Sequence, residues 1–521
     1  MKTKLLLSLV MLTIQFTYSQ IVPELQWVKT YDGVGHKNDF LNKVCVDKSK
    51  NIYMAGQSEE LNGALAFFLI KYNETGDSLF TERYVSAPTS WNEVNSMAVD
   101  ADQNIYAIGT ASFGQSFLRG IFFKFDINGN VVWQKTYGLS NKQAVAVDYQ
   151  NNPIIGINVG EPAGAAEIIK YSPAGDSLWG DVFYYESSSL TVNNFLIDSS
   201  GFMYVVLKDS YEYGSDVPGE RIRLMKLNQD GIVQWGKTIN KAAPLKLIHD
   251  KESNLILATE RSIIKLSANG DSIWENSSFV INTDVAVDSK NNIIISGFGG
   301  GIGGMDYVTR KISSGGTELW DQEFNSQENL RDFASCVTVD NKDNIYISGG
   351  SNEMVSQGVS YTLRYSESGQ LTWQQRFKAT HSIYNDASTI FLDDSNNVFV
   401  AGDYTDSTNG SNYFLFKIKQ NDKTGVDADL KNFPYVFELR QNYPNPFNPT
   451  TTINYSLAKA GNVRLTVYNI LGCKAATVVD GYKSAGNYSV QFNGSNLASG
   501  IYLYRLESGN FSEARKLILM K

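Results

Sequence analysis

Val99-Asp100-Ala101-Asp102-Gln103-Asn104-Ile105-Tyr106-Ala107-Ile108-Gly109 and, a few residues later, Lys124-Phe125-Asp126-Ile127-Asn128-Gly129-Asn130-Val131-Val132-Trp133 decide how this chain is read. Asp and Asn favour turns because their side chains bond nearby backbone. The apolar runs around them suit strands. Gly129 supplies the positive-φ position that a tight hairpin needs. The passage therefore predicts four short strands: one running up to Asp100, one after Asn104, one ending at Lys124, and one carrying Trp133.

The same unit recurs along the chain. Asp100 has counterparts at Asp47, Asp148, Asp198, Asp250, Asp288, Asp340 and Asp393, in steps of 53, 48, 50, 52, 38, 52 and 53 residues. Asn stands four residues after the Asp in every copy but one, where Phe202 replaces it. The Lys-Gly-aromatic phrase repeats as Lys71/Gly76/Phe80, Lys170/Gly175/Trp179, Lys226/Gly231/Trp235, Lys265/Gly270/Trp274 and Lys311/Gly316/Trp320. Arg364 takes the Lys place before Gly369 and Trp373, and Lys417 opens a last copy with Asp422 where Gly should be. Four-stranded units of this length stack radially, so the expected fold is an all-β β-propeller, with the repeated Trp packing between neighbours.

The last copy lacks its Trp, yet Trp27-Val28-Lys29-Thr30-Tyr31 matches Trp133-Gln134-Lys135-Thr136-Tyr137 and stands alone before the first unit. The N-terminal segment is expected to supply the fourth strand of the last blade, which removes open edges. Eight blades result; seven is the alternative, because the fifth unit is short. These units resemble the bacterial SBBP β-propeller repeats over residues 25–420, a resemblance that implies fold far more than function.

Ahead of the repeats, Lys2 and Lys4 precede an apolar run from Leu5 to Ile14, with Thr17 and Ser19 after it. That order predicts a secretory signal peptide over 1–19. The run is about half the ~20 apolar residues a membrane-spanning helix requires, so no transmembrane segment is expected in the mature chain. A net charge of −9 offers no face for nucleic acid. Cys45, Cys336 and Cys473 are odd in number and far apart, which suits buried small side chains rather than a disulfide framework.

Residues 420–434 turn polar and charged and read as a linker. A small β-sandwich of Ig-like type is expected over 435–521. Its opening, Tyr443-Pro444-Asn445-Pro446-Phe447, together with Val467-Tyr468-Asn469, Gly472, Gly500-Ile501-Tyr502 and an ending from Lys516 to Lys521, resembles the C-terminal sorting domain of the type IX (Por) secretion system. Cys473 departs from the polar residue usual there. The resemblance implies Sec export, passage across an outer membrane by the type IX machinery, and a destination at the cell surface or outside the cell. In that family the sorting domain is commonly removed and the passenger released or attached to surface lipopolysaccharide.

Chemical motifs reduce to turns. Gly76-Asp77-Ser78-Leu79 and Gly175-Asp176-Ser177-Leu178 spell a GDSL hydrolase signature. A serine nucleophile needs a base, and none of His36, His249 or His381 has the family's Asp three residues earlier. Ser267 to Trp274 is close to a sialidase Asp-box but has its Gly one place too early. Gly299 to Gly304 matches a dinucleotide motif, but a strand follows where a helix must receive phosphate, so a flexible inter-strand loop is expected there. The cysteine pair of quinoprotein dehydrogenases is absent. Asp100, Asp102 and Asn104 fall short of a calcium loop, and the histidines are not spaced as zinc ligands. No catalytic residue, metal or cofactor is assigned.

Turns between strands one and two and between three and four are short and share one face. The other connections vary and share the opposite face, where binding residues concentrate on a rigid scaffold. Trp91, Tyr211, Tyr213 and Asp216 are the candidate binding residues, for an extracellular glycan or protein. The expected function is a secreted or surface binding protein. The alternative is a secreted glycan hydrolase or lyase, which a converging pair of acidic residues with raised pKa would favour.

Overall fold

Asp100 organises the turn its sequence suggests. In the computed structural model its Oδ1 accepts from the backbone N–H of Asp102 (2.9 Å) and of Asn104 (2.8 Å), while Oδ2 accepts from Asn104 Nδ2 and from the Tyr106 hydroxyl. Asp47, Asp148, Asp250, Asp288, Asp340 and Asp393 take Asn four residues on in the same two-handed way. At Asp198, Phe202 keeps the backbone bond but has no amide to add, and its ring instead lies 4.2 Å from Lys226 Nζ.

The structure describes residues 20–423 and 438–520, except 87–91, 113–117, 139–142, 160–163, 186–187, 214–216, 242, 278–279, 302–303, 327–330, 355–356, 380–381, 407–409, 440, 443, 458–460, 484–485 and 509–510. The expected signal peptide over 1–19 lies outside these residues. The chain divides into two compact units, one of Leu25–Lys419 and one of Met1–Glu24 with Gln420–Lys521.

The larger unit is a succession of four-stranded antiparallel sheets. Sheet 1 is Asp39–Val46, Ile52–Glu59, Leu65–Tyr72 and Ser78–Tyr84; sheet 2 is Asn92–Val99, Ile105–Ser112, Leu118–Phe125 and Val131–Tyr137. Sheets 3 to 7 begin at Gln143, Ser188, Pro244, Ile281 and Asp332. In sheet 8 the order is Gln20–Tyr31, Gly410–Lys423, Val398–Asp406, Ser382–Leu392, so the first strand of the chain borders the last sheet. Gly410–Lys423 runs four residues into the segment expected as linker, because the last sheet has no Gly turn to end it. First strands of neighbouring sheets lie side by side. The second and third strands are buried on both faces, which is why they read as continuous apolar runs, whereas outer strands alternate.

Between sheets, Lys and Trp of the repeat share one acceptor. Lys124 Nζ and Trp133 Nε1 both donate to the Pro173 carbonyl of the next sheet's turn, at 2.8 and 3.2 Å. Lys170 with Trp179, Lys265 with Trp274 and Lys311 with Trp320 repeat this on Gln229, Ser314 and Glu367. The buried ammonium also pairs with its own sheet's turn Asp, as in Lys311–Asp288 at 2.8 Å. The Gly that follows that carbonyl sits under the Trp: a Cβ on Gly231 would lie 2.8 Å from Trp179. Only Gly fits there, at a φ of 84°.

The tail unit holds two antiparallel sheets. One orders Glu438–Leu439, Thr450–Leu457 and Gly486–Asn493; the other orders Lys474–Lys483, Gly461–Asn469, Gly500–Ser508 and Phe511–Leu519. They share one core, including Phe447, Leu465, Tyr504 and Leu517.

Candidate functional site

The hairpin Met203–Tyr213/Val217–Leu227 of sheet 4 stands above its neighbours. Its first strand has 11 residues, against 7 in Pro153–Val159 of sheet 3 and 5 in Leu255–Thr259 of sheet 5. Four extra residues extend a strand by about 13 Å. Lower down, Val205 and Leu207 pack into an apolar cluster with sheet 3. The same face continues upward as Asp209 and Tyr211, opposite Arg221 and Gly219 in register.

These polar residues form a stacked ladder. Asp209 is fully buried and its Oδ2 accepts Nε–H from both Arg221 and Arg223, each at 2.7 Å. The Arg221 guanidinium lies 4.4 Å from the Tyr211 ring centre, and that of Arg223 lies 4.1 Å from Tyr185. Arg223 Nη1 also bonds the Thr238 hydroxyl. A buried carboxylate thus fixes two planar cations against two aromatic faces, an arrangement suited to a ligand carrying an anionic group beside an apolar surface. Gly219 leaves room for the Tyr211 ring, which a Cβ there would meet at 2.6 Å and push aside.

Of the candidate residues named from sequence, Tyr211 is in this ladder. Tyr213 closes the same strand, its side chain outside the described residues, and Trp91 and Asp216 lie outside them altogether. Arg221 and Arg223 were not singled out as binding residues; the signal was their spacing of two, which puts both on the face of Asp209 and Tyr211.

A second polar feature lies where sheet 8 meets sheets 7 and 1. Asp386 and Asp403 are cross-strand partners. Burial pushes Asp386 up to about 6, against bonds from Ser335 and Tyr384 that favour its charge. Burial also pushes Asp403 up to about 7; the Leu41 N–H at 2.8 Å opposes the shift and the Asp386 charge adds to it. Asp39, buried beside Gly33 and Ser58, rises to about 6.

The motif turns hold no such chemistry. Ser78 begins an outer strand and its Oγ reaches only the Phe80 carbonyl, at 3.5 Å. Gly299, Gly300 and Gly301 do not form the expected loop; they continue a strand paired with Gly304–Ile312. Cys45, Cys336 and Cys473 are free thiols; Cys336 is buried and Cys473 is exposed on a turn, not buried as expected. Among the described residues no group of three or more His, Cys, Asp or Glu is disposed to hold a metal, and no helix is long and apolar enough to cross a membrane.

In the tail, the Pro-rich opening lashes the chain to its last strand. Asn445 Oδ1 accepts from Ile518 N–H (2.8 Å) and its Nδ2 donates to the Lys516 carbonyl, while Phe447 enters the core. Pro444 presents its carbonyl to Asn442 and Thr451, and Pro446 follows Asn445 through a cis peptide. Gly472 takes the left-handed place of a turn, and Tyr502, after Gly500, bonds the Ala498 carbonyl. Tyr443 lies outside the described residues.

Comparisons with known proteins agree with this division. Residues 441–520 match the model of the secretion system C-terminal sorting domain. The Dos1 propeller structure covers 77% of this chain and 96% of its own at 9% identity and a TM-score of 0.50. The WD40 domain of SCAP from fission yeast covers 75% and 94% at 12% identity and TM-score 0.42, and the polysaccharide lyase Uly1 covers 73% and 89% at 10% and 0.41. No curated protein matches the chain. The likeness to the Dos1 propeller, with the succession of four-stranded sheets, makes the fold of the large unit that of a β-propeller. The tail is a type IX sorting domain, which marks the chain for export to the cell surface or extracellular space and for contact with the secretion machinery.

Proposed function

We propose that this is an eight-bladed propeller of SBBP type over residues 20–419, closed by its N-terminal strand. A signal peptide (1–19) precedes it, and a linker (420–434) joins it to an Ig-like β-sandwich sorting domain (435–521). Delivered to the surface or medium, it acts as a non-enzymatic binding protein for an extracellular glycan or protein, through the variable face. The observation that carries the binding reading is the Asp209-anchored pair of arginines stacked on Tyr211 and Tyr185. A glycan array probed with purified chain and with the Arg221→Ala/Arg223→Ala double variant tests it. Binding should weaken at least about tenfold in the variant, the loss of about 1.4 kcal/mol. Equal binding by both would overturn the assignment.

The second reading, a secreted hydrolase or lyase, is favoured by the Asp386–Asp403 pair, whose raised pKa values suit a general acid. Both carboxyls accept bonds from neighbouring sheets, a structural use that supports the binding reading over this one. Turnover of a polysaccharide that Asp403→Asn abolishes in a folded protein would reverse that order.

A further inference from the structure

We propose that the outward face of the tail's four-stranded sheet, with the Ile470-Leu471 turn beside it, is the surface that the type IX machinery grips; this rests on the export reading above. Along Gly500–Ser508 the side chains alternate. Tyr502, Tyr504 and Leu506 enter the core, and Ile501 and Leu503 face out, each nearly half exposed. Ile501 pairs with Ile518, and Leu503 lies between Tyr468 and Lys516. At the adjoining turn Ile470 and Leu471 are 74% and 82% exposed, and Met520 continues the patch at the end of the last strand.

The fold does not need these aliphatics. The turn is made by Asn469, whose Oδ1 accepts from the N–H groups of Leu471 and Cys473, and by Gly472 at a φ of 78°. Ile470 and Leu471 add nothing to it that polar residues would not. Asn442, Asn445 and Phe447 likewise secure the lash from inside. Contiguous exposed apolar surface on a soluble domain marks an interaction site.

Charge narrows the partner. Residues 435–521 carry nine Lys or Arg against four Asp or Glu, although the whole chain has a net charge of −9. Lys474, Lys516 and Arg505 border the patch: Lys474 pairs with Tyr468, Lys516 with Leu503, and Arg505 lies 5.4 Å from the Tyr468 ring. The fitting partner is a protein of the export machinery that offers an apolar groove with an acidic rim.

The test compares export of the full chain, the quadruple variant Ile470→Ser/Leu471→Ser/Ile501→Ser/Leu503→Ser, and a chain lacking 441–520, in a type IX-competent host. The quadruple variant, purified and shown folded by thermal unfolding, should drop at least about tenfold in the extracellular fraction, as should the deletion. Export of the quadruple variant at the wild-type level, with the deletion retained, overturns the surface and leaves the sorting reading intact. Export of both overturns the sorting reading itself. If the quadruple variant misfolds, Lys474→Glu/Lys516→Glu decides, and undiminished export again overturns the proposal. A wild-type dimer that the quadruple variant turns into a fully exported monomer assigns the patch to self-association instead.

Discussion

Trp27 covers Gly76. A Cβ built on that glycine would lie 2.9 Å from the indole of a residue that belongs to the last sheet, while Gly76 belongs to the first. The contact repeats, across the seam, what Trp133 does to Gly175 and Trp179 to Gly231. Tyr31 reinforces it, its ring 5.4 Å from Phe68 of sheet 1 and 4.8 Å from Tyr413 of sheet 8, which lie 4.7 Å from each other.

Gly76→Ala should destabilise the propeller by about 1–3 kcal/mol, since it adds a methyl against an aromatic ring at a backbone angle of 81°. Trp27→Ala should cost about 2 kcal/mol, less than a fully buried Trp because the ring is partly exposed. Chemical denaturation checks both. In the double variant the Gly76→Ala cost should shrink, because the ring it strikes is gone.

Asp288→Ala should be among the most damaging single changes, by about 3–5 kcal/mol, because it strands the buried Lys311 ammonium. Asp288→Leu/Lys311→Met should recover most of that loss. If the two single costs simply add, the pair is not coupled as its 2.8 Å separation requires.

Stability should depend on pH through two opposed sets of carboxyls. The Lys311 and Asn292 bonds hold Asp288 below the ordinary range despite its burial, so its contribution is present at neutral pH and is lost as pH falls through its folded pKa. Asp386, Asp403 and Asp39 sit above the ordinary range. Their contribution is full below about 4 and is lost as pH rises towards about 6 to 7. Asp403→Asn should therefore flatten the fall in melting temperature between about pH 4 and pH 7. An unchanged slope would show that Asp403 ionises normally.

Asp209→Ala should loosen the ladder, at a cost of about 2 kcal/mol, and should abolish any binding that needs Arg221 and Arg223. Asp209→Asn, which keeps an acceptor without the charge, should lose less of both. Unfolding and ligand titration on the same preparations separate the two effects.

The repeat was legible because each of its positions answers a local need. Asp100 makes its own turn, Gly129 takes its own backbone angle, and Lys124 and Trp133 find the same carbonyl in whichever sheet comes next. Residues outside the repeat obey no such rule. Arg221 and Arg223 matter because both converge on Asp209 across the hairpin, a register that no single phrase contains. Asp403 is buried against Leu41, 362 residues away, so its raised pKa has no local signature. In the tail, Phe447 and Tyr502 announce a core, but the exposure of Leu503 between two buried tyrosines emerges only from the register.

The borrowed edge strand has a temporal side. Gln20–Tyr31 is synthesised well before the strand it borders, Gly410–Lys423, which comes roughly four hundred residues later. The clasp of the propeller is thus its most non-local pairing, and non-local pairings form late. Until Gly410–Lys423 is in place, Gln20–Tyr31 has no strand to border and the seam between the end sheets stays open.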